Sequence, residues 1–315
     1  MLTEKRVEGE RPVQKFYEEL DRCYAQGDLR AVEQFLQHYA QSGCDRRLEL
    51  AACNELGSFY RGTSQYQKSV AAFARARTLT VEELGRDHIG YATILNNLAG
   101  TYRLMGEYDG AISLFQQAKE LYEQLGEQNG FPYASVLNNL ALAYQETGEY
   151  DRAAQYLEQA LERMEKMPQL KQELAITHHN LTALYQKNGE REKAKAHLGR
   201  ALELFEGCAE GENVHYAAAL NSLAGFFYQD GDYAQALATF EKSAEYTRKF
   251  FGENVEYAIT WQNMSRVYEA MGQREETARC LEQAVEVYKR LLGLEHEHTK
   301  AAAEELRQIR EAGAE

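Results

Sequence analysis

Proline is nearly missing from this chain, with 3 in 315 residues, and tryptophan occurs once. So little proline lets helices run long without interruption. No stretch of about 18 apolar residues occurs, which excludes a membrane-spanning helix. Positive charge is in short supply, 35 Lys and Arg against 49 Asp and Glu, for a net charge of −14. Nucleic acid and anionic membrane surfaces are therefore not expected partners, because both demand clustered Lys and Arg. The start, Met1 to Arg6, is charged but no apolar stretch follows, so it does not read as a secretory signal. The five cysteines (Cys23, Cys44, Cys53, Cys208, Cys280) lack metal-ligand spacing, and their odd number fits reduced thiols in a cytoplasmic protein. Gly-rich phosphate loops, zinc spacings and nucleophile elbows are also missing. No catalytic residue, cofactor or metal is expected.

What is present is a repeat. A Leu or Met, four residues later a Tyr or Phe, and four after that usually a Gly recur every 41 or 42 residues. The series runs Leu56-Tyr60-Ser64, Leu98-Tyr102-Gly106, Leu140-Tyr144-Gly148, Leu181-Tyr185-Gly189, Leu223-Phe227-Gly231 and Met264-Tyr268-Gly272. Five residues past the Gly position stands a small residue (Ser69, Ala111, Ala153, Ala194, Ala236, Thr277), and four further on a large apolar one (Phe73, Phe115, Leu157, Leu198, Phe240, Leu281). Self-similarity of this period marks an array of helical units and suggests an extended binding surface.

Within the second repeat, Ile94, Leu95, Leu98, Ala99, Tyr102 and Met105 recur at helical spacing, and Gly106-Glu107 breaks the series. Tyr108, Ala111, Ile112, Phe115, Ala118, Leu121 and Tyr122 then resume it, which reads as two antiparallel helices joined by a short turn. Gly106 suits the left-handed conformation that ends a helix, and small Ala99 and Ala111 allow close approach of the pair. Loops between repeats carry Gly85, Gly130-Phe131-Pro132, Pro168, Gly211, Gly252 and Gly293. The expected division is a degenerate N-terminal hairpin and cap at 1–48, then six repeats at about 49–90, 91–132, 133–173, 174–215, 216–256 and 257–298. A capping helix at 299–315 closes the series. The N-terminal hairpin would align Leu20, Tyr24, Gly27, Ala31 and Phe35, and the cap would place Leu306 at the repeated Leu and Arg310 at the Tyr position.

The Leu-Tyr-Gly spacing followed by Ala and Phe resembles the tetratricopeptide repeat. With Asn96–Ala99 and Asn138–Ala141 both reading Asn-Asn-Leu-Ala, and Leu292 to His296 between units, it is most similar to the long-repeat subclass of kinesin light chains. The resemblance covers about residues 49–298. It implies an all-α, right-handed superhelical solenoid of antiparallel helix hairpins whose first helices line a concave groove.

The resemblance places groove positions at the two residues before the repeated Leu and at five after it. Before the Leu stand Asn54-Glu55, Asn96-Asn97, Asn138-Asn139, His179-Asn180, Asn221-Ser222 and Gln262-Asn263. Asn costs a helix interior up to about 0.7 kcal/mol against Ala, and its amide both donates and accepts, as an extended peptide backbone requires. Two roles fit. The second residues, Asn97, Asn139, Asn180 and Asn263, are read as ligand contacts. The first, Asn96, Asn138 and Asn221, lean towards bridging adjoining repeats while remaining candidate contacts. Five past the Leu stand Arg61, Arg103, Gln145, Gln186, Tyr228 and Glu269, with Lys187 and Arg266 nearby. This end of the groove is basic at repeats one and two and would steer an acidic ligand there, unless these are only solvated charges. Tyr228 is a candidate aromatic anchor, with Phe227 in the core. The carboxylate clamp that some family members use for chaperone C-termini is not expected, because its basic positions hold Ser135, Asn139, Ile176 and Asn180.

Adjacent His178 and His179 diverge by about 100° on a helix and would not share a metal. His296-Glu297-His298, like His88 and His215, is expected in a solvated loop, and Trp261 in the core. The expected function is a non-enzymatic cytoplasmic adaptor or scaffold that binds a protein or extended peptide. The alternative is a peptide-signal receptor whose superhelix tightens on its ligand, although 48 residues before the first repeat leave little room for the effector domain such receptors carry.

Overall fold

The backbone N–H of Glu107 donates to the carbonyl of Tyr102 at 3.0 Å, and that of Gly106 to the carbonyl of Arg103 at 3.1 Å. This pair of bonds is a Schellman cap, and it closes the first helix of all six repeats, on Tyr60, Tyr102, Tyr144, Tyr185, Phe227 and Tyr268. The cap needs positive φ, which Gly106, Gly148, Gly189, Gly231 and Gly272 supply at 69° to 80°. In the first repeat Ser64 takes the same conformation at φ 57°, alone among described non-glycine residues.

The computed structural model of the protein describes residues 2–41, 45–167, 169–208 and 214–311. Cys44, Pro168 and Gly211 lie outside them. The chain divides into two compact units, Met1–Arg163 and Met164–Glu315. Among the described residues every regular element is an α-helix.

The first unit holds α1 (Leu2–Ala25), α2 (Leu29–Gln41), α3 (Arg46–Gly62), α4 (Tyr66–Glu83), α5 (Ile89–Leu104), α6 (Tyr108–Gln124), α7 (Phe131–Glu146) and α8 (Tyr150–Met164, its last residue across the division). The second holds α9 (Lys171–Lys187), α10 (Arg191–Glu206), α11 (Val214–Gln229), α12 (Tyr233–Phe251), α13 (Val255–Ala270), α14 (Arg274–Leu292) and α15 (Glu297–Glu311). Helices pair as α3 with α4, α5 with α6, α9 with α10, α11 with α12 and α13 with α14, and each second helix also packs on the next first helix within its unit.

Small residues set these crossings. Ala99, Ala111, Ala153, Ala194 and Ala236 are completely buried, and Leu98, Phe115, Leu140, Leu157, Leu181 and Leu198 fill the space around them. Phe227 is only half-buried against the α11–α14 core, while its neighbour Phe226 is fully inside. Where Ser69 replaces Ala, its buried hydroxyl donates to the Gly57 carbonyl at 2.8 Å and pairs with Thr101 Oγ1 at 2.9 Å.

The N-terminal hairpin differs from the alignment expected from the sequence. α1 runs from Leu2 to Ala25. In α2 the buried residues are Val32 and Leu36, one later than the expected Ala31 and Phe35, and Tyr24 is exposed. Asp28 caps the helix: its Oδ1 accepts from the N–H groups of Arg30 and Ala31, so α2 starts at Leu29 with Val32 and Leu36 on its inner face. His88 and His296 lie in loops as expected, each half-buried and capping the helix that follows. His88 Nδ1 accepts from Gly90 N–H at 3.0 Å as the cap of α5, and His296 Nδ1 from His298 N–H at 3.3 Å at the start of α15. His298 stacks on Tyr288, and His215 lies inside α11. Trp261 is half-buried between two core clusters.

Candidate protein-binding face

First helices touch one another within each unit, α3 with α5, α5 with α7, and α11 with α13. Along these contacts runs a row of side-chain hydrogen bonds with a fixed offset. Asn97 Nδ2 donates to Asn54 Oδ1 at 3.0 Å, and Asn139 Nδ2 to Asn96 Oδ1 at 3.0 Å, each across 43 residues. The second unit keeps the offset with other residues: His179 Nε2 pairs with Ser222 Oγ at 3.0 Å, and Gln262 Nε2 donates to Glu305 Oε1 at 3.0 Å. Asn221 departs from it, bonding Thr260 Oγ1 at 2.9 Å. The first residue of one repeat therefore meets the second residue of the next, one repeat plus one position on.

The candidate residues divide accordingly. Asn54, Asn96, Asn97, Asn139 and Asn221 all bridge adjoining helices. Each bridge between asparagines takes one N–H of the later residue and the oxygen of the earlier, so Asn97 and Asn139 keep Oδ1 and a second N–H. Asn263 Oδ1 accepts from Arg266 Nη1 at 3.4 Å on its own helix. Asn138, Asn180 and Lys187 have partners as well. Tyr228 packs on Tyr233 of its own hairpin, ring centroids 5.9 Å apart.

Arg61 is half-buried. Its Nη1 donates to the Asn97 carbonyl at 3.1 Å, and its guanidinium lies 5.8 Å from the Phe73 ring centroid. Burial, and then the neighbouring charge of Arg103, make it less basic than an ordinary arginine. Gly100 makes the space, since a Cβ there would stand 2.9 Å from Arg61 Nη1. Thr260, Glu305 and Gly100 were not picked out by sequence reasoning. For Glu305 the available signal was a complementary polar pair 43 residues apart, Gln262 with Glu305.

Histidines 178 and 179 diverge as expected. His178 Nδ1 meets His197 Nδ1 at 2.9 Å inside the fourth hairpin, and burial followed by the charges of His197 and Arg200 holds its pKa down to about 4. Among the described residues no cluster of three or more His, Cys, Asp or Glu is arranged to hold a metal, and no helix is long and apolar enough to cross a membrane.

No curated protein matches the chain in sequence. Solved structures of the same fold include BtubC from P. vanneervenii (21% identity over 72% of this chain and 92% of that one, TM-score 0.60). A Rap protein complexed with competence and sporulation factor aligns at 15% identity over 90% of this chain and 80% of its own, TM-score 0.62. The quorum sensor NprR from B. thuringiensis aligns at 16% over 98% and 93%, TM-score 0.60. A family profile described as tetratricopeptide repeat matches residues 48–124, 101–166, 132–207, 173–249 and 215–290. With repeated hairpins, shared caps and that match, the chain belongs to the tetratricopeptide repeat family.

Proposed function

We propose that the protein is a non-enzymatic scaffold that binds a protein or an extended peptide segment on the face formed by its first helices. The observation that carries this reading is the composition of three of those helices, α5, α7 and α11; α3, α9 and α13 carry three or more charged side chains each. α5 and α7 each hold one charged side chain besides histidine, Arg103 and Glu146, and α11 holds none. The carboxamides on these helices suit main-chain hydrogen bonding, and Asn97 and Asn139 retain donors and acceptors after bridging. First helices of neighbouring repeats lie roughly 10 Å apart and an extended chain advances about 3.3 Å per residue, so one repeat spans about three ligand residues.

A peptide-signal receptor is the second reading, favoured by the likeness of fold to a Rap protein bound to competence and sporulation factor and to the quorum sensor NprR. The test is selection of random peptides of about twelve residues on the immobilised chain, then calorimetric titration. A scaffold should bind a selected peptide with an unchanged scattering envelope, whereas a receptor should compact. Failure to enrich any peptide above an unrelated helical protein would refute peptide binding.

A further inference from the structure

Arg61 and Arg103 occupy the same position in successive repeats, both half-buried. Arg61 is held by the Asn97 carbonyl and the Phe73 ring, and its basicity is lowered first by burial and then by the charge of Arg103, with no carboxylate acting to restore it. Arg103 Nε is buried without a hydrogen-bond partner. Neither guanidinium forms an ion pair among the described residues. Two half-buried like charges without a counter-ion repel each other and lose hydration. The fold does not require them, because the same position holds neutral Gln145 and Gln186 in the third and fourth repeats.

We infer that Arg61 and Arg103 form a carboxylate subsite that receives an Asp or Glu side chain, or the C-terminal carboxylate, of the bound segment. Guanidinium groups present paired donors that match carboxylate oxygens, and an anion between them relieves their repulsion. Gly100 is part of the device, because it leaves the room in which Arg61 reaches across to α5. The subsite rests on the peptide-binding reading and adds a direction to it: the acidic end of the ligand lies at repeats one and two.

The test uses the full chain and three fluorescein-labelled probes: tetraglutamate amide, tetraglutamine with a free C-terminus, and tetraglutamine amide. At low salt one of the two acidic probes should bind wild type about tenfold better than tetraglutamine amide, and which one it is assigns side chain or terminus. The advantage should shrink at high salt and vanish in Arg61→Gln/Arg103→Gln. That variant copies repeats three and four and should fold. Arg103→Gln alone, which spares the Asn97 contact, should lose most of the advantage. An advantage unchanged in both variants overturns the subsite. If no probe binds wild type, sodium glutarate separates the two claims. A rise in wild-type melting temperature that the double variant lacks supports the arginine site and counts against the peptide reading; equal response of both proteins overturns the arginine site.

Discussion

Asn97 donates its side-chain amide to Asn54, 43 residues earlier, at 3.0 Å. Asn139 does the same with Asn96, so two of the residues that sequence reasoning assigned to ligand also bolt their helices to the previous ones. Where the asparagines are replaced, complementarity persists, as in His179 with Ser222 and Gln262 with Glu305. Copying by duplication alone would have kept asparagine or lost the pairing. Retention of a donor facing an acceptor after both residues have changed points to the bond itself.

A double-mutant cycle of Asn54→Ala and Asn97→Ala should therefore show coupling of about 0.5–1.5 kcal/mol in urea unfolding. Asn97→Ala alone should be nearly neutral, because helix propensity improves by up to about 0.7 kcal/mol as the bond is lost. Coupling of zero would mean the amides do not bridge.

Ser64 sits in a left-handed conformation that glycine adopts in the other five repeats. Ser64→Gly should stabilise the protein by about 1 kcal/mol, and Gly106→Ala should destabilise it by about 1–2 kcal/mol. Thermal melts of both variants check the sign; a destabilised Ser64→Gly would show that Ser64 makes a compensating bond.

The repeat period, the hairpins and the inner face of each helix were legible because one pattern is written six times, so Leu98, Leu140 and Leu181 confirm one another's register. The N-terminal hairpin was less so. Asp28 caps α2, which starts at Leu29 with Val32 and Leu36 on its inner face, against the expected alignment. The binding face was legible as a set of positions but not as a set of roles. Asn97 at position two and Asn54 at position one of different repeats look independent in sequence, and only helix packing brings them to hydrogen-bond distance. Arg61 was legible as a charge, not as a group held by Phe73, Gly100 and the Asn97 carbonyl.

Leu140 has no exposed surface. Leu140→Ala should cost roughly 2–5 kcal/mol. Because contacts in such arrays run between neighbours, the melt should also broaden. A change under about 0.5 kcal/mol would place Leu140 outside the core.

His178 predicts a pH dependence. Its pKa is lowered from 6.5 to about 4 in the folded protein, chiefly by burial. As pH falls through 6.5 the unfolded chain takes up this proton first, so stability is full near neutrality and declines between about pH 7 and 4. His179, lowered to about 4 as well, adds in the same direction. Urea midpoints for wild type should fall over this range, and His178→Leu should flatten the slope. An equal slope in that variant would remove His178 from the account.

The most direct test of the central claim is where a bound peptide touches the chain. A photo-crosslinking phenylalanine analogue at Gln145 would report from the first-helix face, and one at exposed Glu158 on α8 from a second helix. Irradiated with a selected peptide, the Gln145 protein should yield a covalent adduct that unlabelled peptide competes away, and the Glu158 protein should not. An adduct at Glu158 with none at Gln145 would contradict binding on the first-helix face.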